Sequence, residues 1–577
     1  MCSSNRSPPF VRPPPELGHP LARPMSDALF RSGFCAGAGT ATVVLGGALA
    51  AALLLRRQPK GCLAGGEPLR LRRLLRAARR APGAAFILAG VRLPAAVLEE
   101  RVAASADREG LVDCDVHVAG GAIVAVVPAG TECQGQGRAR GAIGGPRIDG
   151  RRAVALPCFV DAHTHLVKTN TVPRCRNTTG SVGGALRCEC ADRPRWAAEP
   201  GDVQRRMDFA LRCAWHHGSR AVRTHLDGTN APDPATRARV YAAFDAARIA
   251  WSTNGLVLQG VANLFLPLWS DPAVAEPHAE EAARHPGVVL GAYCMKVLEP
   301  DWATAEAAFD ALFLLAARHG LDVDLHIDET NDPAACALVP LCASLARARS
   351  HRGAGFRGHV VLGHATSLSL QGETRRAELL RALASLGPLT VVANPFTNLG
   401  LMDRRGTDED VGRPIEAAIA RTPQWRGLTL LQELRSHGIP VAVASDNVRD
   451  WWHPYGDYDL LAVWAAALAV GHLDTAPCEG AWADLATTAA ARALGLAGGP
   501  LRAGARADLV LFPGARRFSE LLARPALQAQ RVVLRGGVVQ DSELPTYDEL
   551  DDLVAVPTLA MPEEAKVTRG CTAVEGG

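Results

Sequence analysis

The chain lacks an excess of charge of either sign. Its 577 residues carry 62 Lys and Arg against 59 Asp and Glu, a formal net charge of +3. Neutralising phosphates needs a larger, clustered basic surplus, so no nucleic-acid partner is implied. The small surplus that exists sits in the first 80 residues. A paired cysteine framework is also missing. The 15 cysteines are odd in number and scattered over a long chain, which excludes a small disulfide-stapled fold and favours a mostly reduced setting. No segment repeats at solenoid period, so a stacked-repeat architecture is excluded. Apolar content is ordinary for a folded protein, and the length allows a large domain with a smaller companion.

One uncharged run stands out. Residues 34–55 form 22 consecutive residues without a charge, weakly apolar and Gly/Ala-rich in the first half. That is long enough to span a bilayer core. Arg56, Arg57 and Lys60 follow at once, which for a spanning segment favours a cytosolic C-terminal side. A second reading is an organelle-targeting peptide, since the region is Arg- and Ala-rich and poor in acids. The expectation is therefore a membrane-anchored (transmembrane) chain with a cytosolic catalytic domain, or an organelle-targeted one. Assembly into a homo-oligomer is left open.

From 84 to 155 the chain reads as short strands with turn residues between them, such as 85–91, 114–118 and 122–127. From 154 to about 475, strand-like apolar runs alternate with Ala/Leu-rich helical stretches, the pattern of parallel βα units. Eight strands are expected: 153–165, 220–227, 249–259, 288–294, 321–329, 359–366, 389–395 and 439–446. Strand character returns at 507–512 and 531–539. The expected fold is α/β: a (β/α)8 TIM barrel inserted in a composite β-sandwich, with an N-terminal hydrophobic segment. The boundaries are 1–82 for the targeting or anchor segment and 156–480 for the barrel. The two parts of the sandwich take 83–155 and 481–541, and an acidic tail takes 542–577.

The triplet His163-Thr164-His165 ends the first expected strand. Alternation along a strand puts both imidazoles on one face, where they can grip one divalent metal. A lone His-x-His among 17 histidines also arises by chance. The other strand ends decide between the two. Barrel enzymes build their sites at the C-terminal rim. There the expected strands end in His225-Leu-Asp227, Gln259, His326-Ile-Asp-Glu329, His364, Asn394 and Asp446-Asn447. Taken singly, Glu329 could be a solvated helix-start carboxylate and His364 a core histidine. His225 and Asp227 could brace a ligand, and Trp452 could pack or stack on a flat ring. Chance does not place so many ligand-type residues at one rim.

The set resembles the amidohydrolase superfamily, in its cytosine deaminase-like branch, over roughly 84–540. The motifs are Phe159-Val-Asp-Ala-His-Thr-His165, Val222-Arg-Thr-His-Leu-Asp227, Asp324-Leu-His-Ile-Asp-Glu329, Leu362-Gly-His-Ala-Thr366, Ala393-Asn-Pro-Phe-Thr-Asn398 and Ala444-Ser-Asp-Asn447. The resemblance implies a metal-dependent aminohydrolase acting on a small heterocyclic substrate. It implies one divalent metal ion, Zn2+ or Fe2+, on His163, His165, His326 and Asp446. It implies Glu329, His364 and Asp446 as the catalytic groups, with Glu329 moving a proton from water to a ring nitrogen. It implies Gln259, Lys168, Asn447 and Trp452 as substrate contacts. Two departures bear on the ring. Asn447 stands where bacterial cytosine deaminases carry a second Asp, and Lys168 looks like the lysine of branch members acting on triazine or pterin rings. Hydrolysis of another C–N bond in a cyclic amide, triazine or pterin is the alternative, as is a non-catalytic scaffold. No lysine stands where two-metal relatives carry theirs, at the end of strand four, but Met295-Lys296 lies near it, so a two-metal site is kept as the lesser alternative. The unrelated zinc deaminases need His-x-Glu with Pro-Cys-x-x-Cys; His278-Ala-Glu280 meets the first half, and Pro157-Cys158 and Pro477-Cys478 fail the second. Cys188-x-Cys190 and His216-His217 read as ordinary surface pairs.

Overall fold

The computed structural model describes residues 66–78, 84–131, 145–351, 355–403, 422–475, 477–496 and 499–554. The run 34–55 lies outside them. Among the described residues no helix is long and apolar enough to cross a membrane. The very apolar helix Leu460–Val470 has 11 residues, about half of what a bilayer core requires. The longer Trp302–His319 carries Glu306, Asp310 and Arg318. This finding corrects the expectation of a transmembrane chain, and the membrane-anchored or organelle-targeted localisation is withdrawn with it.

Two eight-stranded sheets organise the described chain. The first contains β1 (Phe86–Pro94), β2 (Leu111–Ala119), β3 (Ala122–Pro128), β4 (Arg147–Asp149) and β5 (Val154–Pro157). It also takes β14 (Leu509–Phe512), β15 (Val532–Arg535) and β16 (Val538–Val539) from the other end of the chain. The order is β16-β15-β14-β5-β1-β2-β3, with β4 beside β1, in one continuous sheet where the sequence suggested a sandwich. The second sheet is wholly parallel and runs β6 (Phe159–Thr164), β7 (Ser219–His225), β8 (Val257–Phe265), β9 (Val288–Cys294), β10 (Val323–Ile327), β11 (Val360–His364), β12 (Leu389–Ala393) and β13 (Val441–Val443). Most of these strands are buried along their whole length, as parallel strands packed on both faces must be.

The helices between them start and stop where local chemistry dictates. Asp233 caps Pro234–Ser252 by accepting from Ala235 and Thr236 N–H, with proline in the first turn. Gly218 and Gly320 end their helices in the left-handed conformation that glycine tolerates best. Phe309, Leu312, Phe313 and Ala316 then seat one helix face in the core.

Two expected strands need correction. The run 153–165 is two strands. It divides at Cys158: β5 pairs antiparallel with β14, and β6 opens the barrel. The third strand begins at Val257 rather than 249. Ile249, Ala250 and Trp251 finish a helix, with Ile249 60% exposed and Trp251 buried, so their apolar run was a helix surface rather than a strand.

The sheet closes into a barrel between its first and last strands. Thr164 bridges Asp446; Asp446 N–H donates to the His163 carbonyl at 2.9 Å, and Thr164 Oγ1–H donates to the Asp446 carbonyl at 2.9 Å. Just below, Asp161 accepts from the Ser445 N–H at 3.1 Å and from its hydroxyl. Closure thus brings residues 163 and 446, distant in sequence, side by side.

Candidate active site

The strands stop abruptly, and the stops carry the candidate site side chains. Asp328, His364 and Asp446 all have positive φ (52°, 70° and 57°) at or just past strand ends. This conformation is uncommon outside glycine and clusters at functional sites. It turns the backbone off each strand end at the rim.

His163, His165, His326 and Asp446 meet at this rim. All four are at most 4% exposed. The His165 Nδ1–H donates to both carboxylate oxygens of Asp227, at 2.9 and 3.0 Å. That bond selects the tautomer whose Nε2 lone pair faces inward. His165 Nε2 lies 3.2 Å from His326 Nε2 and 3.3 Å from Asp446 Oδ1. His163 Nε2 lies 3.5 Å from the same oxygen. Among the described residues neither Asp446 oxygen, nor His163 Nε2, has a hydrogen-bond partner. Leaving such buried groups bare costs heavily, whereas a cation among them satisfies all at once. Three imidazole nitrogens and one carboxylate suit Zn2+ or Fe2+. Overlapping groups, His163/His165/His326 and His163/His364/Asp446, each bring their ligand atoms within 4.8 Å of one another. A third, His163/His225/Asp324, lies beneath: His225 Nε2 is 3.1 Å from His163 Nδ1, and the Asn263 amide is 2.9 Å from His225 Nδ1.

The electrostatics separate the roles. Burial opposes the charge on Asp446, but the His364, His163 and His165 rings around it hold its carboxyl well below the usual range. Burial, with the charges of its histidine neighbours, drives His326 and His225 well below the ordinary imidazole value. His364 falls to about 3, mainly through burial, so it is neutral. Glu329 goes the other way: burial, then the Asp446 carboxylate, push it well above the carboxylate range. Its Oε1 is 3.3 Å from His364 Nδ1, while His364 Nε2 is 3.9 Å from Asp446 Oδ2.

A second group of side chains gathers around Lys168. Its Nζ donates to Asp227 Oδ1 at 3.1 Å, lies 3.7 Å from Glu189, and sits 4.9 Å from the centre of the Trp452 ring. Burial works to lower its pKa, but Asp227 and Glu189 outweigh it and keep the ammonium charged. Asn447 Nδ2–H donates to Asp450 at 2.8 Å; Asp450 also accepts from Trp452 and His453 N–H at 2.9 and 3.0 Å.

Known proteins share this layout. Residues 289–540 match the model of the amidohydrolase family. A pterin deaminase of Rhizobium rhizogenes is 38% identical over 477 residues, 82% of this chain and 98% of that protein. The chain belongs to the amidohydrolase superfamily. As such it is a hydrolase acting on carbon–nitrogen bonds other than peptide bonds. The fold of this amidohydrolase is also that of two solved structures. One is a 5-methylcytosine deaminase from Klebsiella pneumoniae (TM-score 0.58, 23% identity, covering 80% of this chain and 98% of that one). The other is an N-isopropylammelide isopropylaminohydrolase from Burkholderia multivorans (TM-score 0.56, 24% identity, 79% and 97%).

One expected site residue of the amidohydrolase is elsewhere. Gln259 lies near the start of β8, because that strand begins later than its sequence suggested. Its Oε1 accepts from Arg223 at 2.8 and 3.0 Å and its Nε2 donates to the Leu494 carbonyl at 2.9 Å, away from the ligand rim. Arg223 in turn donates to Asp324 at 3.1 Å, a buried pair under the ligands. Lys296 pairs at the half-exposed surface with Asp332. His216 meets Ser542 and His217 meets Asp457, so neither reaches the rim. Asn394 and Asn398 approach His364 at 3.2 and 3.1 Å. Sequence reasoning missed Asn263 and Asp450, and it held Asn398 only as the end of a motif, without a role. Correct placement of β8 would have exposed the first; Asp450 lies past its strand end, where no periodicity marks it.

Proposed function

We propose that this amidohydrolase deaminates a pterin-type ring, replacing an amino group with a carbonyl and releasing ammonia. The observation that carries the reaction type is the bare, buried Asp446 carboxylate facing three imidazole nitrogens, with the raised Glu329 carboxyl beside them. His163, His165, His326 and Asp446 would hold one Zn2+ or Fe2+. When bound, the ion supplies an acidified water as nucleophile.

The chain's own groups do the rest. Glu329 takes a proton and hands it to a ring nitrogen, a task suited to a carboxyl that burial raises above the usual carboxylate range. Neutral His364, beside both Glu329 and Asp446, orients the attacking water, and the water's second proton is relayed past Asp446 and His364 to the departing amino group, which leaves as ammonia. Lys168 offers a buried cation to a ring carbonyl, and Trp452 offers a flat face to the ring. Asn447 gives one amide N–H to Asp450, which fixes the side chain and leaves its oxygen as an acceptor for a ring N–H and its second N–H as a donor. Support for the pterin class comes from the 38% identity to a pterin deaminase over nearly that protein's whole length. We assign 156–480 to the catalytic barrel, less the end of β5, which stays with 83–155 and 481–541 in one β domain, leaving 542–577 as a tail.

The test is ammonia release by the metal-loaded protein with pterin, cytosine, a triazine and a creatinine-like ring. Turnover of pterin with loss of its amino group is expected. Turnover of another ring alone would refute the pterin assignment, and no ammonia from any of them with metal bound would refute deamination.

A further inference from the structure

Two thiols outside the ligand cluster face each other. Cys175 lies on the loop after β6, and Cys188 on the helix Val182–Ala198, 13 residues later. Their Sγ atoms are 3.1 Å apart, and both cysteines are free. Cys175 is half-buried; Cys188 is 9% exposed.

The frame around the pair is firmly set. Arg174, next to Cys175, donates to Asp192 on the helix at 3.1 Å and to Asp202. Asn177 Nδ2–H donates to the Trp451 carbonyl at 3.1 Å and the Ser181 carbonyl at 2.9 Å; Ser181 caps the helix through Gly184 N–H. These bonds fix the two backbones while leaving the sulfurs in contact. A disulfide needs its sulfurs at about 2.05 Å, so closure asks for a movement of roughly 1 Å.

We propose that Cys175 and Cys188 are a modification site, an oxidisable dithiol that closes to a disulfide and staples the loop after the first barrel strand to the helix that follows. The oxidant is a small-molecule disulfide. The Cys175 thiolate attacks one of its sulfurs and releases one thiolate. The Cys188 thiol gives its proton to solvent and attacks the Cys175 sulfur of the mixed disulfide, releasing the second. Two protein thiols are oxidised, and the reagent is reduced to two thiols. The staple ends one residue from Glu189, which faces Lys168, so oxidation reaches the rim of the candidate site.

The experiment treats the full chain with oxidised glutathione and maps non-reduced peptides by mass spectrometry. The expected result is a peptide joining Cys175 to Cys188, with loss of two titratable thiols, reversed by dithiothreitol. Cys175→Ser and Cys188→Ser each abolish it, while Cys190→Ser does not. In the unmutated chain, prior alkylation with N-ethylmaleimide also abolishes it, which serves if a variant folds poorly. A stable glutathione adduct on Cys175 without the linked peptide overturns the proposal, as does linkage of Cys188 to any other cysteine. The readout is independent of turnover, so it stands or falls apart from the proposed deamination.

Discussion

Replacing Asp227 with Asn isolates what a carboxylate behind the proposed metal-ligating histidine, His165, contributes. Asp227 is 2% exposed, and both of its oxygens lie at hydrogen-bond distance from His165 Nδ1, at 2.9 and 3.0 Å. Asparagine keeps the shape and one acceptor oxygen but removes the charge that makes the imidazole a stronger donor. Loss of such a partner typically weakens metal binding about 10- to 100-fold, or about 1.4–2.7 kcal/mol. Lys168 loses its 3.1 Å partner but keeps Glu189 at 3.7 Å, so its charge is not left unpaired and the fold should survive. Zn2+ affinity is measured by chelator competition, and thermal unfolding followed by circular dichroism checks the fold. A folded variant whose Zn2+ affinity lies within twofold of the parent would refute the reasoning, because His165 would then not need its charged brace to bind a cation.

Glu329→Gln should retain one metal per chain by elemental analysis while turnover falls about 10²- to 10⁴-fold, the usual worth of a positioned proton carrier; parent-like turnover would remove Glu329 from proton transfer. Gln259→Ala should leave KM unchanged within about twofold, since Gln259 binds Arg223 rather than the rim, but lower stability by about 1–3 kcal/mol through the stranded Arg223; a large rise in KM would restore it to the substrate site. Metal affinity should rise with pH. In the metal-free protein burial pulls His165 down, but Asp227, followed by Asp446, raise it to about 9, so at neutral pH a cation must displace a proton. Between pH 6.5 and 7.5 the apparent Zn2+ affinity should increase about tenfold per displaced proton, and a flat profile would show that His165 is already neutral. His326→Ala and Asp446→Ala should each lose both metal and turnover; unchanged metal content in either would take that residue out of the ligand set.

Much of the barrel was legible because its strands are buried on both faces. A buried run such as 389–393, apolar but for Thr390, has few other readings when helical stretches flank it. The pattern failed where apolar residues had another reason to be there. Trp251 packs a helix against the core, and the run containing it displaced the start of β8 by eight residues, from 249 to 257, carrying Gln259 to the wrong rim. Similarly, nothing in the run 153–165 reveals that it serves two sheets, since both halves are equally buried.

The proximity of His163 and His165 was settled by the two-residue period of a strand, and the chain alone also determined the parallel βα alternation and the ligand types at the strand ends. Only the tertiary structure decided which ends share a rim. Barrel closure through Thr164 and Asp446 sets residues nearly three hundred positions apart in contact, and Asp227 finds His165 and Lys168 only because β6 and β7 are neighbours. Local sequence sets dihedral preferences and burial, whereas register between strands and the angle at which a sheet closes are properties of the whole packed core.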